Sequence, residues 1–150
     1  CESNTFQYVE KLSLWGNNMS EKGAKMIAKS PNMKNLTELK LTRNKIGNEG
    51  VAALVGSENS KNLILLDLSA NKIGDQGALA IANSPNLTKL KTLDLYNNQI
   101  TEKGMKALLT SKSLKSLELL ILVQNKINPE KIDGLAKNKT LPSLRRLEMF

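Results

Sequence analysis

Leucine pairs with one residue between them recur along this chain at a constant interval of 27 residues. An asparagine follows each pair three positions later, and these asparagines are Asn17, Asn44, Asn71, Asn98 and Asn125. Alternation with a period of two predicts a short strand whose leucines point inward and whose intervening residues point outward. A fixed internal period of this length predicts a stack of repeated units.

The segments between the predicted strands carry helix signals. Each segment is long enough for a helical crossover, and strands joined in this way pair in parallel. Helix N-caps are expected at Ser20, Gly47, Gly74, Thr101 and Asn128. Apolar residues follow at helical spacing, and in the fifth unit these are Ile132, Leu135 and Ala136. A glycine column predicts close backbone approach at Gly23, Gly50, Gly77 and Gly104.

The repeated asparagines are predicted to be structural. Where the chain leaves a strand and bends inward, backbone groups lose their strand partners. An amide side chain both donates and accepts hydrogen bonds, so a stack of amides can satisfy the turns of successive units.

The motif L-x-x-L-x-L-x-x-N-x-I resembles the leucine-rich repeat, and the glycine and alanine phrases after it resemble the ribonuclease-inhibitor-like class. This resemblance implies an α/β fold, a leucine-rich repeat solenoid shaped as a right-handed α/β horseshoe. Packed helices lie about 8–10 Å apart and paired strands about 4.8 Å apart. The parallel sheet is therefore expected on the concave side and the helices on the convex side.

We expect residues 1–150 to form a single leucine-rich repeat domain. It would contain about five full repeats and partial repeats at both ends. Solenoids need polar terminal units, and neither end of this sequence looks capped: residues 1–8 resemble the tail of a preceding unit, and the sequence ends inside a predicted strand at Phe150. A piece of a longer array is the favoured interpretation, and an end-to-end oligomer is the alternative.

Strand alternation assigns the residues that are free to contact a partner, because packing does not dictate the outward positions. Trp and Tyr are also enriched among binding hot spots. The predicted partner-binding residues are Trp15, Lys40, Thr42, Arg43, Asp67, Ser69, Asp94, Tyr96, Leu119, Ile121, Val123 and Phe150.

The fifth strand is predicted to be apolar on both faces. Leu119, Ile121 and Val123 point outward there, with Tyr96 and Phe150 beside them. Exposed apolar patches mark contact surfaces, so this one predicts a protein partner or self-association. Further repeats or a lid covering the patch is the competing interpretation.

The amino-acid composition limits the catalytic and metal-binding chemistry expected of this chain. The chain has a net charge of +8 but no histidine and a single cysteine, Cys1. The absence of histidine removes the commonest general base and metal ligand, and one cysteine excludes an intrachain disulfide. Nucleic acid is not the favoured partner, because acidic residues interrupt any basic track across the concave face. The apolar stretch near Leu117 is too short to span a membrane.

Asp67 and Asp94 are expected to be neighbours on adjacent strands. Close carboxylates can form an acid–base pair, but this surface is open and has no nucleophile or metal-ligand set around it. We therefore predict no enzyme activity, no cofactor and no metal. Accepting an arginine or lysine from a partner is the expected role of these acids.

The favoured function is a protein–protein interaction module that binds a protein partner through its concave sheet and rim. Proteins with this repeat include the GTPase-activating protein of Ran, bacterial effectors and innate immune receptors, so the resemblance also implies a regulatory module of a GTPase or ligase system. A basic nucleic-acid or anionic-surface binder is the third alternative. Cytoplasmic and secreted-effector locations are both compatible with the sequence, and a lipoprotein anchor at Cys1 is a further option.

Overall fold

A computed structural model of the chain describes residues 9–131 and 140–150. Within them, six short strands form one parallel sheet in sequence order. The strands are β1 Lys11–Ser13, β2 Glu38–Lys40, β3 Leu65–Asp67, β4 Thr92–Asp94, β5 Leu119–Ile121 and β6 Arg146–Glu148. The α/β leucine-rich repeat solenoid predicted from the sequence is confirmed.

Helices connect the first five strands. The α-helices among the described residues are α1 Glu21–Lys29, α2 Gly47–Gly56, α3 Asp75–Ala82 and α4 Glu102–Leu109. Short 3₁₀ turns occur at Pro31–Met33, Glu58–Ser60 and Pro129–Lys131. Neighbouring α-helices pack against one another, which places them in a second layer behind the sheet.

The predicted helix starts hold with one correction. Ser20 and Thr101 accept hydrogen bonds from the backbone N–H groups two residues later, as N-caps do. Gly47 is instead the first residue of α2. Its N–H donates to the carbonyl of Asn71 at 3.0 Å, so a backbone bond to the next unit positions this helix start without a capping side chain.

The fifth unit departs from the others. Where the earlier units begin an α-helix, this unit has the 3₁₀ turn Pro129–Lys131. The Asn128 side chain accepts from the N–H of Glu130 at 2.9 Å and so caps that turn. The inward positions expected at Ile132, Leu135 and Ala136 lie outside the described residues.

The register of the sheet follows the repeat. Each strand residue pairs with the residue 27 positions later, for example Leu39 with Leu66 and Leu66 with Leu93. These leucines are at most 1% exposed and pack against the helices. In the first unit, Leu12 and Leu14 are only partly buried, since β1 lies at the edge of the sheet.

The asparagine side chains join consecutive units. Asn98 Oδ1 accepts from the backbone N–H groups of Asn71 (3.0 Å) and Ile73 (2.9 Å), one unit earlier. Its Nδ2 donates to the carbonyls of Leu68 and Leu95, both at 3.0 Å. One amide thus satisfies backbone groups on both sides of a unit boundary.

The other asparagines differ in how much of this pattern they complete. Asn44, Asn71 and Asn125 all bond backbone groups in the preceding unit. Asn17 is exposed, and its side chain donates locally to the carbonyl of Trp15 at 3.2 Å. Among the described residues, Asn44 is the first asparagine of this series whose side chain bonds a preceding unit.

Two further side-chain ladders were not predicted. Ser57, Ser84 and Ser111 donate to carbonyls near the ends of the helices in the preceding units, which satisfies groups that helix ends leave unpaired. Near the helix starts, Asp75 Oδ1 accepts from the N–H groups of Thr101 (2.8 Å) and Gly104 (3.0 Å) of the next unit. The sequence signal was a serine at the same 27-residue interval.

Gly50, Gly77 and Gly104 lie where neighbouring helices approach closely, whereas the atoms nearest to a Cβ added at Gly23 belong to the Met19 side chain. A Cβ atom added at Gly50 would be 2.6 Å from Ile46 Cγ2 and 3.1 Å from the backbone Cα of Glu21 in the preceding helix. Added at Gly77, it would be 2.6 Å from Ile73 Cγ2 and 2.9 Å from Asn48 Oδ1. The helices can stack at this distance because the glycines carry no side chain.

We expect Gly50→Ala to destabilise the protein by about 1–3 kcal/mol, because the methyl group overpacks the boundary between α1 and α2. Gly56→Ala is the matched control: an added Cβ there meets nothing within 4 Å. That change should stabilise the protein by about 0.4–1 kcal/mol through helix propensity. Urea denaturation measures both, and equal effects of the two changes would contradict the close-approach explanation.

Asn71→Ala should lower the free energy of unfolding by about 1–3 kcal/mol, because it leaves the buried N–H of Ile46 without its acceptor and removes one of the two donors to the carbonyl of Leu41. Asn17→Ala removes only an exposed, local bond and serves as the control. Thermal unfolding by circular dichroism gives the comparison. A melting temperature of Asn71→Ala equal to that of Asn17→Ala would remove the ladder as a source of stability.

Candidate protein-binding face

The side of the sheet turned away from the helices is called here the open face. Three rows of outward residues cross it, one residue from each unit. The first row is Lys11, Glu38, Leu65, Thr92, Leu119 and Arg146, and the second is Ser13, Lys40, Asp67, Asp94, Ile121 and Glu148. The third row follows the strands and contains Trp15, Thr42, Ser69, Tyr96, Val123 and Phe150.

Aromatic side chains stand out on the third row. Trp15 is 60% exposed, Tyr96 37% and Phe150 68%. Arg43 lies over the Trp15 ring at 5.5 Å from its centroid, within the range of a cation–π contact. The N-terminal part of the open face thus has an aromatic ring that is already held by a neighbouring unit.

Arg43 occupies a turn that repeats after the strands. Its backbone has a φ of +55°, and Ala70, Asn97 and Gln124 take the same left-handed conformation one unit apart. This turn ends each strand and directs the following asparagine side chain inward. The same turn holds Arg43 on the exposed rim beside Trp15.

Ser69 is the clearest correction among the predicted contact residues. It was expected to face a partner, but it is only 5% exposed. Its hydroxyl donates to Asp67 Oδ1 at 2.7 Å, and its backbone N–H donates to the same oxygen at 2.9 Å. Because the side chain is short and bonded to Asp67, it lies among its neighbours on the face and is largely closed to a partner.

The predicted apolar patch on β5 is less exposed than expected. Leu119, Ile121 and Val123 are each partly buried, whereas Tyr96 and Phe150 beside them are exposed. The aliphatic side chains are covered in part because β4 and β6 flank this strand on both sides. The patch is therefore a partly covered aliphatic strip with exposed aromatic neighbours.

The two aspartates have different surroundings although they pair in register. Asp67 accepts hydrogen bonds at both carboxylate oxygens, from Ser69 at Oδ1 and from Thr42 Oγ1 at Oδ2 (2.7 Å). Asp94 accepts from the N–H of Tyr96 at 2.8 Å. Asp67 is thus built into the face, while Asp94 keeps more accepting capacity.

Burial raises the pKa of the Asp94 carboxyl above its ordinary value. The Tyr96 N–H and the nearby Ser69 hydroxyl oppose this shift, whereas the negative charges of Asp67 and Glu148 add to it. The ionised form is therefore disfavoured by lost hydration and by like charge.

Two ion pairs lie on the open face. Lys11 Nζ lies 2.6 Å from Glu38 Oε1, and Arg146 Nε lies 2.6 Å from Glu148 Oε1. No ion pair of the described residues includes Asp67, Asp94 or Lys40. Over the same part of the chain, no group of three or more His, Cys, Asp or Glu residues is placed to hold a metal ion.

The helical side has a groove that the sequence did not reveal. It lies between α2 and α3, has a volume of about 390 Å³ and is lined in part by Ala52, Leu79 and Ala80. Leu79 is 44% exposed and Met26, on α1, is 74% exposed. For the residues that the structure describes, no helix is both long and apolar enough to cross a membrane.

Comparison with known protein families agrees with this architecture. One family described as Leucine Rich repeats (2 copies) matches residues 61–104, and another described as Leucine Rich repeat matches residues 32–55. These segments are leucine-rich repeats. The chain has no match among curated proteins. Leucine-rich repeat domains are generally protein-interaction modules without enzyme activity.

The raised pKa of Asp94 predicts a pH dependence. Between the ordinary carboxyl pKa, about 4, and the raised one, the folded protein binds a proton more readily than the unfolded chain does. Stability from this group is present at lower pH and is lost as pH rises through the folded-state pKa. Asp94→Asn removes this titration. The melting temperature of the variant minus that of the wild type should therefore increase as the pH is raised from 3 to 7. A constant difference across this range would contradict the shift.

Proposed function

We propose that this chain is a protein-binding module that contacts a protein partner through the open face and its rim. The carrying observation is the exposure of Trp15, Tyr96 and Phe150 along one row of the sheet. The leucines on the opposite side of the sheet are buried in β2 to β5 and partly buried in β1 and β6. Large aromatic side chains kept in water on a rigid sheet support a contact role, since such residues dominate binding hot spots.

The scaffold suits binding because its surface is formed before a partner arrives. Each unit is joined to the next by strand pairing, by the asparagine and serine side chains, and by contacts such as that of Asp75 with the start of the next helix. Little backbone entropy is therefore lost on association, and more of the contact energy is available for affinity. The proposal involves no catalytic step.

We further infer that the repeats are of the ribonuclease-inhibitor-like class with 27-residue units. The α-helices between successive strands, α1 to α4, support this, as does the offset of 27 positions between paired strand residues. Classes with shorter units have less room for a helix.

The strip formed by Leu119, Ile121 and Val123 is the proposed apolar part of the contact surface. Its partner is another protein, and a second copy of the chain is the alternative occupant. Replacing Ile121 and Val123 together with Asp places two charges on the strip while leaving the inward leucines intact. This should abolish partner binding, or self-association, with the fold retained.

The test compares Ile121→Asp/Val123→Asp with the wild type by pull-down with the immobilised chain and by sedimentation velocity. Met26→Asp/Leu79→Asp is the matched control, because it places the same two charges on exposed apolar positions of the helical side. Circular dichroism checks the fold of each variant. Unchanged pull-down and unchanged sedimentation of the first variant would refute the open face as the contact surface.

A further inference from the structure

Asp94 is an acid whose charge the described residues leave uncompensated. Lys11 neutralises Glu38, and Arg146 neutralises Glu148. Lys40 pairs in register with Asp67, so it lies one strand further from Asp94. A chain with a net charge of +8 thus keeps a cluster of negative charge at the middle of its sheet.

Hydrogen bonding separates the two aspartates. Asp67 receives three bonds, two from Ser69 and one from Thr42, which occupy both of its oxygens. Asp94 Oδ1 receives the N–H of Tyr96, and the Ser69 hydroxyl lies nearby but donates to Asp67. A carboxylate has about four acceptor sites, so Asp94 has the greater capacity left for a donor from outside the chain.

The surroundings of Asp94 fit a long basic side chain. Ile121 pairs with Asp94 in register on the next strand, and Tyr96 is exposed two residues further along the chain. The apolar surface of Ile121 can cover the aliphatic stem of a basic residue, and the Tyr96 ring can lie against its charged head. Of the two basic residues, arginine has the planar head that bonds a carboxylate with two donors.

We propose that the open face receives an arginine from a segment of a partner protein, with Asp94 accepting the guanidinium group, Ile121 covering the aliphatic stem and the Tyr96 ring lying against the charged head. This inference rests on the proposed protein-binding function and specifies the chemistry of the partner. Charge complementarity favours this occupant, because an incoming cation compensates a carboxylate that no ion pair of the described residues includes. The partly buried position of Asp94 strengthens the attraction, since the surrounding dielectric is lower than that of water.

The test is a selection from a random dodecapeptide phage library at physiological salt, with the wild-type chain as bait. The best peptide is then synthesised, and its affinity is measured for the wild type and for Asp94→Asn, Asp67→Asn and Glu49→Gln. Glu49→Gln is the matched control, because it removes the same charge from an exposed position on α2. Circular dichroism verifies that each variant is folded.

We expect selected peptides to carry an arginine beside an apolar residue, although the net positive charge of the chain favours acidic peptides. Asp94→Asn should weaken binding at least about tenfold, which is typical of losing a charge-assisted hydrogen bond. Asp67→Asn should cause a smaller loss, and Glu49→Gln should leave affinity within about twofold. Replacing the arginine of the peptide with glutamine should cause a loss similar to that of Asp94→Asn.

Three results would overturn the inference: no enriched peptide, enrichment of acidic peptides, or equal affinity of the wild type and Asp94→Asn. The failure of the inference can be separated from that of the proposed function. Peptides that lose affinity for Ile121→Asp/Val123→Asp but not for Asp94→Asn would retain the open face as a contact surface and remove the arginine site. Self-association that Asp94→Asn breaks would assign the site to a second copy of the chain and also overturn the partner proposed here.

Discussion

The structure depends on satisfying backbone groups at the boundary between units. Each unit leaves its strand after three residues, so its turns and helix ends contain many N–H and C=O groups that the sheet cannot pair. The asparagine amides meet this need inside the turn after the strand. Buried polar groups without partners would be costly, and among the described residues no buried side-chain polar atom lacks a hydrogen bond.

Three ladders divide this task along the unit. Asn98 bonds the turn after the strand, Asp75 bonds the start of the next helix, and Ser84 bonds a carbonyl at the end of the previous one. Each contact crosses a unit boundary, so every unit completes its neighbour. The polar ladders therefore fix the spacing between units, and at this spacing the aliphatic side chains of successive units pack in the same way.

Because the core and the ladders stabilise the fold, most side chains of the open face have no structural role. Its side chains vary from unit to unit, while the asparagine and serine positions of the ladders and the leucines of the core hardly change. The face combines exposed aromatic rings with an aspartate that is partly buried and lacks a counter-charge. Neither feature stabilises the isolated domain, because one exposes apolar surface to water and the other removes a charge partly from water. Both favour a surface that is completed by another molecule.

The sequence by itself determined the repeat, the inward leucines, the strand register and the asparagine positions. These follow from periodicity, since a unit that recurs every 27 residues meets its neighbour with the same residues each time. The start of the fifth unit's convex segment did not follow, because Pro129 begins a 3₁₀ turn where the earlier units begin an α-helix. Ser57, Ser84 and Ser111 carried the same interval, yet their role became visible only when helix ends were placed beside them.

The tertiary structure alone decided how far each outward residue is available. Alternation along a strand predicts which side of the sheet a residue faces but not how deeply it is buried. Asp67 and Ser69 occupy the same positions in their unit as Asp94 and Tyr96 do in the next, so the sequence predicts the same exposure for both pairs. Burial and hydrogen bonding depend on neighbours that are 25 to 30 residues away along the chain. For this reason Ser69 proved to be buried, the β5 strip proved to be partly covered, and the two aspartates came to differ in what they can still bind.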